Sequence, residues 1–164
     1  MEKPKKSPIQ ISEFSLTTLE FKRVGSRPRR LKIPANFIKI EAVVEELDAL
    51  AYSIVCHICI NEEAKEALDF SAKIEYQMVA KTIDPEFKKQ LEGFAKVGAP
   101  FNALVHAREL IASLTARAFG RTAMLPLIDI RDFESTIHVT SVEKESATPE
   151  TETAQEPNSP TKSQ

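Results

Sequence analysis

A strict two-residue alternation over residues 70–80 restricts this chain more than any other feature. Phe70, Ala72, Ile74, Tyr76 and Met78 are apolar, and Ser71, Lys73, Glu75 and Gln77 between them are polar. Successive side chains of a strand point to opposite faces. The stretch therefore reads as an antiparallel strand with one face buried and one in water. Residues 50–60 (LAYSIVCHICI) are rich in β-branched and aromatic types and read as a second strand. The polar stretch 61–67 turns the chain between the two. Residues 9–21 hold Ile9 and Ile11 on one parity but Phe14 and Leu16 on the other. That pattern describes a strand interrupted by a bulge or bend. Residues 36–47 fit two descriptions. Ile40, Val43, Val44 and Leu47 suit a helical face, while Ile38, Ile40, Ala42 and Val44 suit a strand, the preferred reading.

Helical signals begin after Met78. Asp84 suits an N-cap, Pro85 the first helical position and Glu86 the positive end of the helix dipole. Phe87, Leu91, Phe94 and Ala95 form one face, and Gly98 is expected to end that helix. Pro100 then opens a longer helix over residues 101–119, stopped by Gly120. Ala103, Ala107, Leu110, Leu114 and Ala118 lie along its expected core face, widened by Leu104 and Ile111. Residues 125–130 (LPLIDI) are expected to be extended. The order is four strands followed by two helices. This predicts an α+β fold, with a four-stranded antiparallel sheet and both helices packed on one face.

Composition divides the chain into three. Residues 1–8 are a basic N-terminal segment, 9–140 the folded domain, and 141–164 an acidic Ser/Thr/Pro-rich tail. In the tail Val142 is the one large aliphatic residue, so too little apolar area exists to offset ordering entropy, and disorder is expected there. Charge is uneven. Residues 1–40 hold ten Lys/Arg against three Asp/Glu, residues 41–140 ten against sixteen, and the tail two against five. Six of the basic residues fall in 22–32 (KRVGSRPRRLK). That run raises nucleic-acid binding, but no aromatic residue is interleaved for base stacking, so a solvated loop is preferred. No secretory h-region and no membrane-length apolar run occurs, and the cytosol is the expected location.

Little in the chain suggests covalent chemistry. Cys56-His57-Ile58-Cys59 contains a C-x-x-C spacing, but within a strand positions 56 and 59 face opposite ways. They cannot share a metal or close an easy disulfide, and no second Cys/His pair completes a zinc site. His106, beside Arg108 and Glu109, reads as a helix-surface histidine in an ion-pair cluster. No P-loop, G-x-G-x-x-G, H-E-x-x-H or G-x-S-x-G is present, and there are four glycines in all. Neither an enzymatic activity nor a cofactor is expected.

The second half resembles the protein-export chaperone family SecB. The strongest stretch is 100–133, PFNALVHARELIASLTARAFGRTAMLPLIDIRDF. Ala107-Arg108-Glu109, Ile111, Ser113, Leu114, Arg117 and Gly120 match the family's helix, and Leu125, Leu127, Ile128, Asp129 and Phe133 match the following segment more loosely. His106 stands where many members have an aromatic residue, and Val105 where a Pro is expected. Upstream, IQISEFSLTTLEF resembles the family's first strand, and residues 68–78 the strand leading into the helices. The resemblance covers residues 9–133 and supports a strand at 36–45.

The resemblance implies an ATP-independent holdase that binds unfolded or extended polypeptides. It also implies a homotetramer, a dimer of dimers with helices between two eight-stranded sheets. Clients would lie in apolar grooves between sheet and helices. The residues expected to line them are Phe70, Ile74, Tyr76 and Met78 of the strand, and Phe101, Leu104 and Ile111 of the long helix. Burying the apolar side chains of an unfolded chain there would hold it by mass action. Export-type members dock the motor ATPase SecA through acidic residues on the sheet. The corresponding positions here are Thr18, Lys22 and Lys73, which argues against SecA docking. A specialised member serving one toxin–antitoxin partner is the alternative.

Overall fold

The computed structural model of the chain describes residues 7–24, 33–63, 68–129, 132–133 and 137–142. Most of the basic run 22–32, the end of the 61–67 turn, Ile130 and the tail from residue 143 lie outside the described residues. The strands are β1 (Ile9–Arg23), β2 (Ile38–Asp48), β3 (Ala51–Ile60) and β4 (Phe70–Thr82), followed by helices α1 (Lys88–Gly93) and α2 (Ala99–Phe119) and strand β5 (Ile137–Val142). The sheet order is β1-β4-β3-β2-β5. Residues 36–47, open to two readings in the sequence, are mostly strand.

The alternation in β4 appears as expected. Phe70, Ala72, Ile74, Tyr76, Met78, Ala80 and Thr82 are buried, and the residues between them face outward. In register beside them on β3 are Ile54, Cys56, Ile58 and Ile60, all fully buried. Each large aliphatic side chain sealed in this way contributes about 1.5–3 kcal/mol. β2 and β3 join through the two residues Ala49 and Leu50, where the Leu50 amide donates to Asp48 Oδ1 at 2.7 Å. Asn61 closes β3 with φ 51°, a left-handed conformation Asn tolerates. Its buried amide donates from Nδ2 to the Phe70 carbonyl at 3.0 Å, and its backbone N–H donates to the Phe37 carbonyl at 2.8 Å.

β1 shows what its mixed parity means. The register against β4 shifts between Ile11 and Glu13 and again between Leu16 and Thr18, leaving Ser12 and Thr17 as extra residues. Each bulge reverses the parity once. Ile9, Ile11, Phe14, Leu16, Leu19 and Phe21 therefore all lie opposite the buried residues of β4 and share its helix-facing side. The bulged hydroxyls tie back to β4: Ser12 Oγ donates to the Val79 carbonyl at 3.3 Å, and Thr17 Oγ1 to Glu75 Oε1 at 2.6 Å.

Three expectations are corrected. The sheet has five strands, because β5 returns to pair parallel with β2, Ile40 opposite Ile137 through Glu45 opposite Val142. Only Ile137 of β5 is buried, so the strand left a weak local pattern. Ser141 and Val142 belong to it. Second, Gly98 does not end a helix. Residues 85–119 form one unbroken helical run with a π-turn at 94–98, where the Ala99 amide donates to the Phe94 carbonyl. Pro100 follows with no N–H to give and a ring that would crowd an α-helical carbonyl, and the wider turn accommodates it. Third, the buried line of α2 is Ala99, Ala103, Ala107, Ile111 and Thr115, while Leu110 and Leu114 are half-buried and Ala118 is exposed. Thr115 is in the core because its Oγ1 accepts from the Ala123 amide at 2.8 Å, fixing the chain after the helix. Gly120 stops α2 as expected, at φ 69° with its amide bonded to the Ala116 carbonyl. The 125–130 segment forms no strand over its described residues; Leu125 is buried and Leu127 exposed.

Candidate functional site

The small residues Ala99, Ala103 and Ala107 let α2 sit close to the centre of the sheet, over β3 and β4. One consequence is that β1, the outer strand, is only partly roofed. Its helix-facing side chains Ile11, Phe14, Leu16 and Leu19 remain 38%, 38%, 44% and 40% exposed. They form one apolar strip because the two bulges keep them on one face.

Two ring clusters bracket the part of the strip from Phe14 to Phe21, and Ile11 lies beyond the first of them. At one end Phe14 stacks on Tyr76 at 5.2 Å, and His106 of α2 lies against Phe14 at 4.7 Å. At the other, Phe21 stacks on Phe70 at 5.3 Å, Phe119 joins at 6.3 Å, and the Arg23 guanidinium lies 5.0 Å over the Phe119 ring. Leu16 and Leu19 stand between the brackets. Seven strand steps less one bulge make the span about 20 Å, the length of roughly six extended residues. Burial, the largest influence, pushes the Tyr76 phenol above its ordinary value. It is uncharged at neutral pH and offers the strip an apolar wall.

Of the seven residues expected to line a client groove, Phe70, Ile74, Tyr76, Met78, Leu104 and Ile111 are buried within the single chain. Phe101 is half-buried, edge-on to Phe133 at 5.4 Å. Phe70 and Tyr76 reach the strip through their rings. The half-exposed β1 residues and His106 were not among those expected. The mixed parity of β1 was the available signal, since it places every apolar residue of that strand on one side. His106 belongs to this ring cluster, against Phe14 and Tyr76.

The opposite face of the sheet is polar. His57 Nδ1 lies 3.2 Å from Glu75 Oε2, and register places Glu41 beside His57 and His138 beside Glu41. Thr18, Lys22 and Lys73 are also on this face, in register with the outward residues Glu75, Ser71 and Cys59. Cys56 points inward and Cys59 outward, as the strand reading requires, and both thiols are free. Burial pushes the Cys56 thiol up to about 12, which leaves it inert. Among the described residues no group of three or more His, Cys, Asp or Glu could hold a metal. No helix there is long and apolar enough to cross a membrane. A cavity of about 510 Å³ between the β2–β3 turn and α1 is lined by Leu47, Tyr52, Glu92, Lys96 and Val142, with Lys96 paired to Glu92 at 2.6 Å.

A bulged, mainly antiparallel sheet backed by one helical run, with an apolar edge strip, defines a SecB-like α+β fold. Among solved structures, the chain is similar to the SecB-like chaperone Rv1957 of Mycobacterium tuberculosis, solved in complex with a ChAD peptide from the Rv1956 HigA1 antitoxin. It has 21% sequence identity and a TM-score of 0.50, and covers 74% of this chain and 91% of that one. No family model and no curated protein sequence matches the chain.

Proposed function

We propose that this protein is an ATP-independent holdase that binds extended polypeptides along the β1 strip. The observation that carries the proposal is the half-open apolar face of Ile11, Phe14, Leu16 and Leu19. A folded domain gains by covering such a surface, and an unfolded chain supplies apolar side chains to cover it. The rings of Tyr76 and Phe70 close the two ends. Ile74, Met78, Leu104 and Ile111 form the layer beneath, and Phe101 lies at the margin. The fold shared with a SecB-like chaperone supports the reading. The test dilutes a chemically unfolded client into the full chain without ATP. Light scattering is expected to stay low at stoichiometric protein, and Leu16→Ser with Leu19→Ser to restore aggregation. No suppression at stoichiometry overturns the proposal.

Assembly as a dimer of dimers in the cytosol belongs to the same proposal. α2 presents exposed Val105 near exposed Met124, and Arg108 Nε between them is buried without a hydrogen-bond partner. A partner surface would satisfy both features. Light scattering on the purified chain is expected to give the mass of four chains.

A second reading is a chaperone dedicated to one partner. Two observations favour it: the neighbour was solved with an antitoxin peptide, and none of the outer-face positions Thr18, Lys22 and Lys73, which correspond to the SecA-docking acids of export-type members, is acidic. A single stoichiometric partner in a pull-down, with no affinity for denatured proteins, distinguishes it.

A further inference from the structure

The strip is apolar along its length, but its two ends differ in charge. The end where Phe21 meets Phe119 carries Arg23 from the close of β1, Arg117 from the last turn of α2 and Arg121 just beyond it. Arg117 and Arg121 are exposed. Of the described acids here, Asp69 is buried, and Glu20 and Glu62 stand with Lys22 on the opposite face of the sheet. The negative end of α2 offsets only about half a charge. The end near Ile9 is different. There Asp84 caps the turn at 85–87, accepting from the Glu86 amide at 3.0 Å, and Glu86 follows it, while Lys88 is drawn to Glu46 at 3.1 Å and Lys89 is exposed.

We infer that the client segment this strip takes is an apolar stretch of about six residues with acidic residues on one flank, the acids lying over Arg23, Arg117 and Arg121. This rests on the holdase reading and adds a substrate class to it. An apolar sequence alone would fit either way round; the cationic end gives it one register. Nucleic acid fits less well. Phe21 and Phe70 are stacked on each other and Arg23 lies over Phe119, so the rings at this end are already engaged with one another rather than set out as a row of platforms for bases.

The test uses the full chain and fluorescent peptides that share one apolar core and differ in flank: glutamates, serines or lysines. At low salt the glutamate peptide is expected to bind about tenfold tighter than the serine peptide, and the lysine peptide weakest. The gap should close as salt shortens the Debye length to about 3 Å. Arg117→Glu with Arg121→Glu is expected to invert the order, and the Gln pair to level it. Both sites are exposed, and circular dichroism checks that the fold is kept. Equal binding of all three peptides overturns the charge assignment and leaves the holdase reading standing. No binding of any peptide overturns both. Two further results also overturn it. One is a single-stranded oligonucleotide that binds tighter than every peptide and is lost in the Glu pair. The other is Leu16→Ser with Leu19→Ser dissociating the assembly while peptide binding stays unchanged, which assigns the strip to a second copy of the chain.

Discussion

Two regions of one sheet face, equally apolar, have different fates. Under α2, Ile54, Ile58, Ile74 and Met78 are at most 2% exposed. One strand away, Leu16 and Leu19 are opposite Tyr76 and Ile74 and keep two-fifths of their surface in water. The residue types are the same and the backbone pairing is continuous. What differs is the roof. The alanines of α2 draw the helix onto the middle of the sheet, and β1 lies beyond most of its cover. Apolar character alone is therefore a poor guide to function, because half-coverage separates a surface that stabilises the fold from one available to a partner.

Mutations that probe the covered region should cost the most. Ile111→Ala removes a fully buried side chain and is expected to destabilise the chain by about 2–5 kcal/mol in denaturant melts. The covered region also predicts an alkaline weakness. The Cys56 thiol has its folded value raised to about 12, against 9.0 when unperturbed, so above pH 9 the unfolded chain loses that proton first. Stability from this group is complete below pH 9 and should fall by up to ~1.4 kcal/mol per pH unit until about 12. Cys56→Ala should flatten that part of the pH profile; an unchanged slope would locate the weakness elsewhere. Thr115→Val leaves the Ala123 amide without its acceptor and should cost about 1–3 kcal/mol. Gly120→Ala forces a side chain into a left-handed position, at about 1 kcal/mol. Least costly of all should be Leu16→Ser with Leu19→Ser, because half of that surface is already wet. A melting midpoint within a few degrees of the parent, with client holding lost, would sharpen the contrast between the two regions. A large loss of stability would erase it and make the strip part of the core.

The sequence by itself determined several features that depend on neighbouring residues. The alternation of Phe70 through Met78 specified a half-buried strand, since side chains of a strand reverse at each step. The change of parity between Ile11 and Phe14 marked one bulge, while the second, between Leu16 and Thr18, and the residues that bulge emerged only from pairing with β4. Asp84 and Gly120 marked the two ends of the helical run through capping and a positive φ. Tertiary structure alone decided whatever depends on distant parts of the chain. β5 is a strand because β2 offers it an edge nearly a hundred residues away. The helical run is continuous because a π-turn absorbs Pro100. The buried line of α2 passes through Thr115 because Ala123 needs an acceptor there. The open strip belongs with these. Periodicity tells which way a side chain points, while only the position of a helix across the whole sheet tells what, if anything, lies above it.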